Sequence, residues 1–216
     1  MTSQVSSIAT VSPRLDVQGL TCRFNHFQLF ADLGFNLSAG DILQVRGDNG
    51  SGKTTLLRIL SGLKPAEAGE IRWNGKPIHA IDNNYFKQLC YLGHRNAIKP
   101  GLTVLENLTM QQLLTSGQND QTQQQILAGV SLTAYADTLA GQLSSGQLRR
   151  LAITRLLLSN GKIWLLDEPY TALDKQGKLL INELLLAHSQ QGGIAIIATH
   201  EAVSMDGTPL KTFTLN

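Results

Sequence analysis

Two hydrophobic rhythms alternate along this chain. Residues 15–24, 35–37 and 71–73 alternate apolar and polar positions and are separated by turn residues, which predicts a small antiparallel sheet near the start. Residues 41–45, 89–92, 163–167 and 194–199 are mostly apolar, as strands covered on both faces are, and predict a main, largely parallel sheet. Between them, residues 103–114, 121–128 and 145–158 carry apolar positions at helical spacing, with Thr103 and Glu106 in a capping-box pattern. These three segments predict a helical subdomain over about residues 95–158. The glutamine-rich residues 118–125 read as an exposed helix end rather than a low-complexity stretch, because Ile126 and Leu127 follow directly. Strands alternating with helices make the class α/β.

Length narrows this to one domain with a subdomain, since 216 residues leave too little chain for two full domains. Lys and Arg number 18 against 16 for Asp and Glu, a formal net charge of +2. That excess is too small for a protein that holds nucleic acid by bulk charge, so no nucleic-acid partner is expected. Cys22 and Cys90 form no CxxC pair, which argues against a zinc ribbon or a disulfide scaffold and fits a reduced, cytosolic setting. Residues 1–13 are polar and Ser/Thr-rich and do not read as a secretory signal. They predict a loose tail ahead of a domain over 14–216. The apolar runs at 163–166 and 194–198 are far shorter than the roughly 20 residues that cross a bilayer, so work at a membrane would need another chain to span it.

The most informative segment is Gly47-Asp48-Asn49-Gly50-Ser51-Gly52-Lys53-Thr54, which fits GxxxxGK[ST] between a predicted strand and a helix starting near Lys53. Gly50 and Gly52 allow the backbone to turn successive N–H groups inward, and the helix N-terminus adds its positive dipole end. Lys53 would neutralise the β- and γ-phosphates of a nucleotide, and Thr54 would offer a hydroxyl to Mg²⁺. A second signal is the apolar run from Ile163 that ends in Asp167 and Glu168. Beside a phosphate loop, Asp167 would hold Mg²⁺ through its water shell and Glu168 would orient or deprotonate the attacking water. His200 follows another apolar strand and is placed opposite this acid pair.

Leu143-Ser144-Ser145-Gly146-Gln147 opens a helix containing Arg149 and Arg150 and resembles the LSGGQ signature of ATP-binding cassette (ABC) ATPases. By itself it also reads as a helix N-cap by Ser144 or Ser145. The resemblance runs from about residue 15 to the C-terminus and joins four motifs in one order. It implies a P-loop NTPase fold of the ABC nucleotide-binding type: a RecA-like core, an antiparallel β subdomain and a helical subdomain. ATP and Mg²⁺ are then the implied cofactors, and Thr55 joins the nucleotide-binding set. Phe24 matches the aromatic that stacks on adenine, with Phe27 as a competitor. Ala172-Leu173-Asp174 matches the dimer-contact loop, and Thr199-His200 the switch histidine that contacts the γ-phosphate. The family pattern places Ser144 and Gly146 against the nucleotide of a second copy of the chain.

One position departs from that pattern. His94, in Tyr91-Leu92-Gly93-His94, stands where most members carry a Gln that senses Mg²⁺ and the transmembrane partner, which makes His94 a candidate metal contact. The surrounding residues, with Leu102-Thr103 and Glu106-Asn107-Leu108, resemble the branch that serves cytochrome c maturation. That branch implies an ATPase on the cytoplasmic face of the bacterial inner membrane, paired with integral membrane subunits and driving haem export or release from a haem chaperone. Cys90 and His94 form CxxxH rather than the CxxCH attachment pattern, so direct haem binding is not expected. A motor for another cargo would share the same motifs, because cargo contacts reside mostly in the membrane chain.

Overall fold

The computed structural model describes residues 12–24, 27–80, 84–115, 121–201, 203, 205 and 210–215. The tail expected over residues 1–13 therefore lies, up to residue 11, outside the described residues.

Two sheets form. In the first, β1 (Arg14–Phe24) pairs antiparallel with both β2 (Phe27–Ser38) and β4 (Ala68–Trp73), and β4 pairs with the short β5 (Lys76–Pro77). The strand predicted at 35–37 is the end of the longer β2. Its first half was obscured because Phe27, Gln28, Ala31 and Asp32 are exposed, which leaves little apolar alternation to read. The second sheet is parallel throughout, in the order β6-β7-β8-β3-β9, from β6 (Leu89–Leu92), β7 (Ile163–Asp167), β8 (Ile194–Ala198), β3 (Ile42–Arg46) and β9 (Leu210–Thr214). Neither β5 nor β9 was predicted. β9 is an edge strand with no fully buried position, so its pattern carries little signal.

Period-2 alternation divides the buried side chains between the two faces of this sheet. Leu43, Val45, Ile163, Leu165, Ile194 and Ile196 join a core with α1 (Lys53–Leu60) and the antiparallel sheet. Ile42, Trp164, Leu166, Ala195 and Ile197 join the opposite core with α2 (Val104–Leu114), α3 (Gln123–Gly129), α4 (Ser145–Leu158) and α5 (Lys175–Gln190). Burial on both faces is what made these strands read as apolar runs. Thr103 and Glu106 close the capping box of α2 as predicted, and Thr122 with Gln125 makes another at α3, so the end of the glutamine-rich stretch is a helix start. The 16-residue α5 was not among the predicted helices; its leucines spread round the helix and leave Leu179 half exposed.

Because β3, β6, β7 and β8 run parallel, their carboxyl ends share one edge. Asp167 lies in register with Ala198, and Ala198 with Val45. The loops after these four strands therefore meet, which is where open α/β sheets bind ligands.

Candidate active site

The loop from β3 to α1 is shaped by glycine where no side chain would fit. Gly47 has φ 149, and a Cβ there would lie 2.5 Å from both the Leu215 carbonyl oxygen and Ser51 Oγ. Gly52 occupies the N-cap of α1 at φ 100 with no side-chain cap, and no acidic residue sits in the first turn. The first N–H groups of α1 thus have no side chain of the cap competing for them, a setting that favours an anion. Lys53 is buried, and its Nζ donates to the carbonyls of Gly47 at 2.6 Å and Asp48 at 2.9 Å. Two of its three donors hold the loop in shape, and one remains for a ligand.

Thr54 reaches across to β7, where its Oγ1 donates to Asp167 Oδ1 at 3.0 Å. Asp167 is only 1% exposed, and its Oδ2 is buried with no hydrogen-bond partner. Burial pushes its carboxyl above the usual range, opposed by the Thr54 hydroxyl and by the charge of His94. An orphaned carboxylate oxygen beside a hydroxyl at a phosphate loop suits a hard divalent cation, which takes few protein oxygens and keeps water and phosphate as its other ligands. Among the described residues no cluster of three or more His, Cys, Asp or Glu could hold a metal by itself. An ion here would therefore depend on a bound phosphate.

Glu168 follows at φ 46, unusual for a residue with a side chain. Its N–H donates to the Ala198 carbonyl at 2.8 Å, and its Oε2 accepts from Thr199 Oγ1 at 3.0 Å and lies 3.1 Å from His200 Nδ1. Carboxylate and imidazole thus touch across two adjacent strand ends, one half-buried and the other exposed. A cleft of about 470 Å³ is lined by Asn49, Gly50, Gly52, Lys53, Thr54, Thr55, His94 and Glu168. A larger cavity of about 710 Å³ opens beside β6 and the end of α2, but it has neither the phosphate loop nor the acid pair.

The structure gathers Lys53, Thr54, Thr55, His94, Asp167, Glu168 and His200 at one edge, and leaves Ser144 and Gly146 out of that cleft. Of the two candidate caps, Ser144 is the one used: its Oγ accepts from the Gln147 N–H, and Gln147 Oε1 accepts from the Ser144 N–H. Gly146 packs on the Ala172 carbonyl, 2.8 Å from where a Cβ would stand. Arg150 ties the same helix to Asp174 at 2.6 Å. For Phe24 the side chain is outside the described residues; its backbone pairs with Phe27, which is 78% exposed. Sequence reasoning missed Arg149, which is buried under the Glu168 turn. The available signal was its spacing, since Arg149 shares a helical face with Ala152 and Ile153 and so puts a charge on the buried side.

A parallel sheet ending in a phosphate cradle after one strand, with an acid pair at the tip of the strand two places along and a capped signature helix beyond, is the architecture of the ATP-binding cassette ATPases. The profile described as ABC transporter matches residues 30–171, and the chain belongs to this family of ATP-binding, ATP-hydrolysing proteins. Within it, the chain is similar to proteins called cytochrome c biogenesis ATP-binding export protein CcmA. The Aliivibrio fischeri protein is 42% identical over 201 residues, covering 93% of this chain and 98% of the relative. That of Nitrosococcus oceani is 46% identical over 193 residues, with 89% and 88% covered. Among solved structures, a putative ABC transporter ATP-binding protein from Pyrococcus furiosus superposes with a TM-score of 0.77 at 24% identity, covering 94% of this chain and 97% of that one. A dimeric ATP-binding cassette in a post-hydrolysis state bound to ADP and Pi gives 0.72 at 24% identity, with 87% and 88% covered. No helix among the described residues is long and apolar enough to cross a membrane.

Proposed function

We propose that this chain is the ATP-hydrolysing motor subunit of a cytochrome c biogenesis complex. It would work as a dimer on the cytoplasmic face of the bacterial inner membrane, bound to integral membrane subunits. Its hydrolysis would drive haem export or release of haem from its chaperone. The observation that carries the hydrolytic part is the meeting of Thr54 with Asp167 and of Glu168 with His200 at one sheet edge. Support for the cytochrome c role is the similarity along nearly the whole chain to relatives that carry that name.

In this reading the loop from Gly47 to Thr54, with Asp48, Asn49, Gly50 and Ser51, cradles the phosphates of ATP. The remaining Lys53 donor meets the β- and γ-phosphates. Thr54 and Asp167 would hold Mg²⁺, with His94 as a third contact, and such an ion would supply neutralisation of charge on the phosphate oxygens. Glu168 Oε2 takes the proton of the attacking water, and His200 meets the charge that develops on the γ-phosphoryl group. Phe24 or its neighbour Phe27 stacks on adenine. Ser144 and Gly146 complete the site of the opposing copy, so two nucleotides are sandwiched between two chains.

Tagged full-length chain, purified with its membranes in mild detergent, tests the assignment of role. Subunits of the cytochrome c maturation system are the expected companions. An unrelated permease in their place would leave an ABC motor with a different cargo.

A further inference from the structure

Arg149, one turn into α4, is 3% exposed, and all five of its N–H donors are used inside the protein. Its Nε donates to the Pro169 carbonyl at 3.3 Å, and Nη2 to the carbonyls of Asp167 at 3.0 Å and Glu168 at 2.8 Å. Its Nη1 donates to the Gly93 carbonyl at 3.0 Å and to Asn96 Oδ1 at 3.1 Å. None of these acceptors is a carboxylate, so the contact is not an ion pair. Burial lowers its pKa to about 10, still far above neutrality, so the cation persists.

The acceptors belong to two segments only. Three are successive carbonyls of the turn that carries Asp167 and Glu168, and two lie on either side of His94. The turn has need of a fastening, because Glu168 sits at φ 46, where a side chain costs backbone energy. Arg155, further along α4, holds the second segment too, donating to the Asn96 carbonyl at 2.9 Å and the Tyr91 carbonyl at 3.4 Å. One rigid helix therefore carries Ser144 and Gly146 at its start and grips both the Glu168 turn and the His94 loop from its side.

We propose that Arg149 is a positioning residue for hydrolysis: it sets the Glu168 turn and the His94 loop from the signature helix, so that water activation depends on where α4 sits. This rests on the reading of Glu168 as the group that activates water. A planar fork of five donors matches five fixed oxygens, whereas an ammonium on a flexible stem brings three. A lysine would keep the charge and lose the geometry.

The test uses the full-length chain with Arg149→Lys, Arg149→Gln and Asn96→Ala, each alone and combined with Glu168→Gln. Phosphate release gives kcat and KM, a fluorescent ATP analogue gives nucleotide Kd, and thermal melting reports folding. Arg149→Lys is expected to lower kcat by about 10- to 100-fold, with KM and Kd within about twofold, and to change the residual rate of Glu168→Gln by less than about twofold. Arg149→Gln should be no better than lysine if geometry decides. A kcat within twofold of the parent in a folded Arg149→Lys, or a loss that multiplies with that of Glu168→Gln, would overturn the proposal and leave Arg149 a packing cation. Should both Arg149 variants fail to fold, Asn96→Ala decides: a several-fold fall in kcat at constant KM supports the proposal, and an unchanged kcat overturns it. Full turnover in Glu168→Gln alone would instead remove the assignment of Glu168 beneath it.

Discussion

Two helix N-termini in this protein are built in opposite ways. Helix α1 begins at Gly52 without a side-chain cap, whereas α4 begins at Ser144 with a complete capping box through Gln147. The first turn of a helix presents N–H groups that need acceptors. At α1 the chain supplies no capping oxygen and places buried Lys53 in the same turn, so an anion is the acceptor that fits. At α4 the Gln147 N–H is already satisfied, and the exposed Ser144 keeps its hydroxyl donor and one lone pair for a visitor. One terminus is left open for a phosphate held by its own chain. The other closes its own capping box and lies outside the cleft of its own chain.

The contrast can be broken at four points. The largest effect is expected from Glu168→Gln, which should lower kcat by about 10²- to 10⁴-fold while ATP binding persists and the ATP-bound dimer lives longer. Phosphate release beside size-exclusion chromatography reads both, and normal turnover would remove Glu168 as the base. Next comes Lys53→Ala, which should weaken ATP binding by about two orders of magnitude, the value of a charge-assisted contact at the open terminus. Unchanged affinity by calorimetry would mean that the cradle lies elsewhere.

On the other terminus, Gly146→Ala drives a Cβ against the Ala172 carbonyl, 2.8 Å away. A loss of about 1–3 kcal/mol in stability is expected, visible in the chain without nucleotide by denaturant melting. The smallest effect belongs to Ser144→Ala. Removing the cap should cost about 1 kcal/mol, a fall of about 2–4 °C in Tm for a chain of this size. Nucleotide affinity of the single chain should stay unchanged, because Ser144 lies outside the cleft of its own chain. A fall in that affinity equal to the one from Lys53→Ala would erase the distinction between the two termini.

The glycine-rich loop, the acid pair, the capping box of α2 and the buried strands were legible because each is written in residues close together in the chain. A strand covered on both faces must be apolar, and a glycine with positive φ has few substitutes. Thr54 and Asp167 are different: they stand 113 residues apart, and nothing local joins them. They meet because β7 lies beside β8 and β8 beside β3 in the parallel sheet. Arg149 was hidden for a related reason, since four of its five acceptors are backbone carbonyls of two remote loops and only Asn96 takes part through its side chain. The sequence by itself determined most of the elements, though not β5, β9 or α5, and marked the candidates for phosphate, metal and acid chemistry, because periodicity and cap chemistry act over a few residues. Only the tertiary structure decided that one buried guanidinium on α4 would hold the Glu168 turn and the His94 loop together, because such contacts exist only after distant elements are packed side by side.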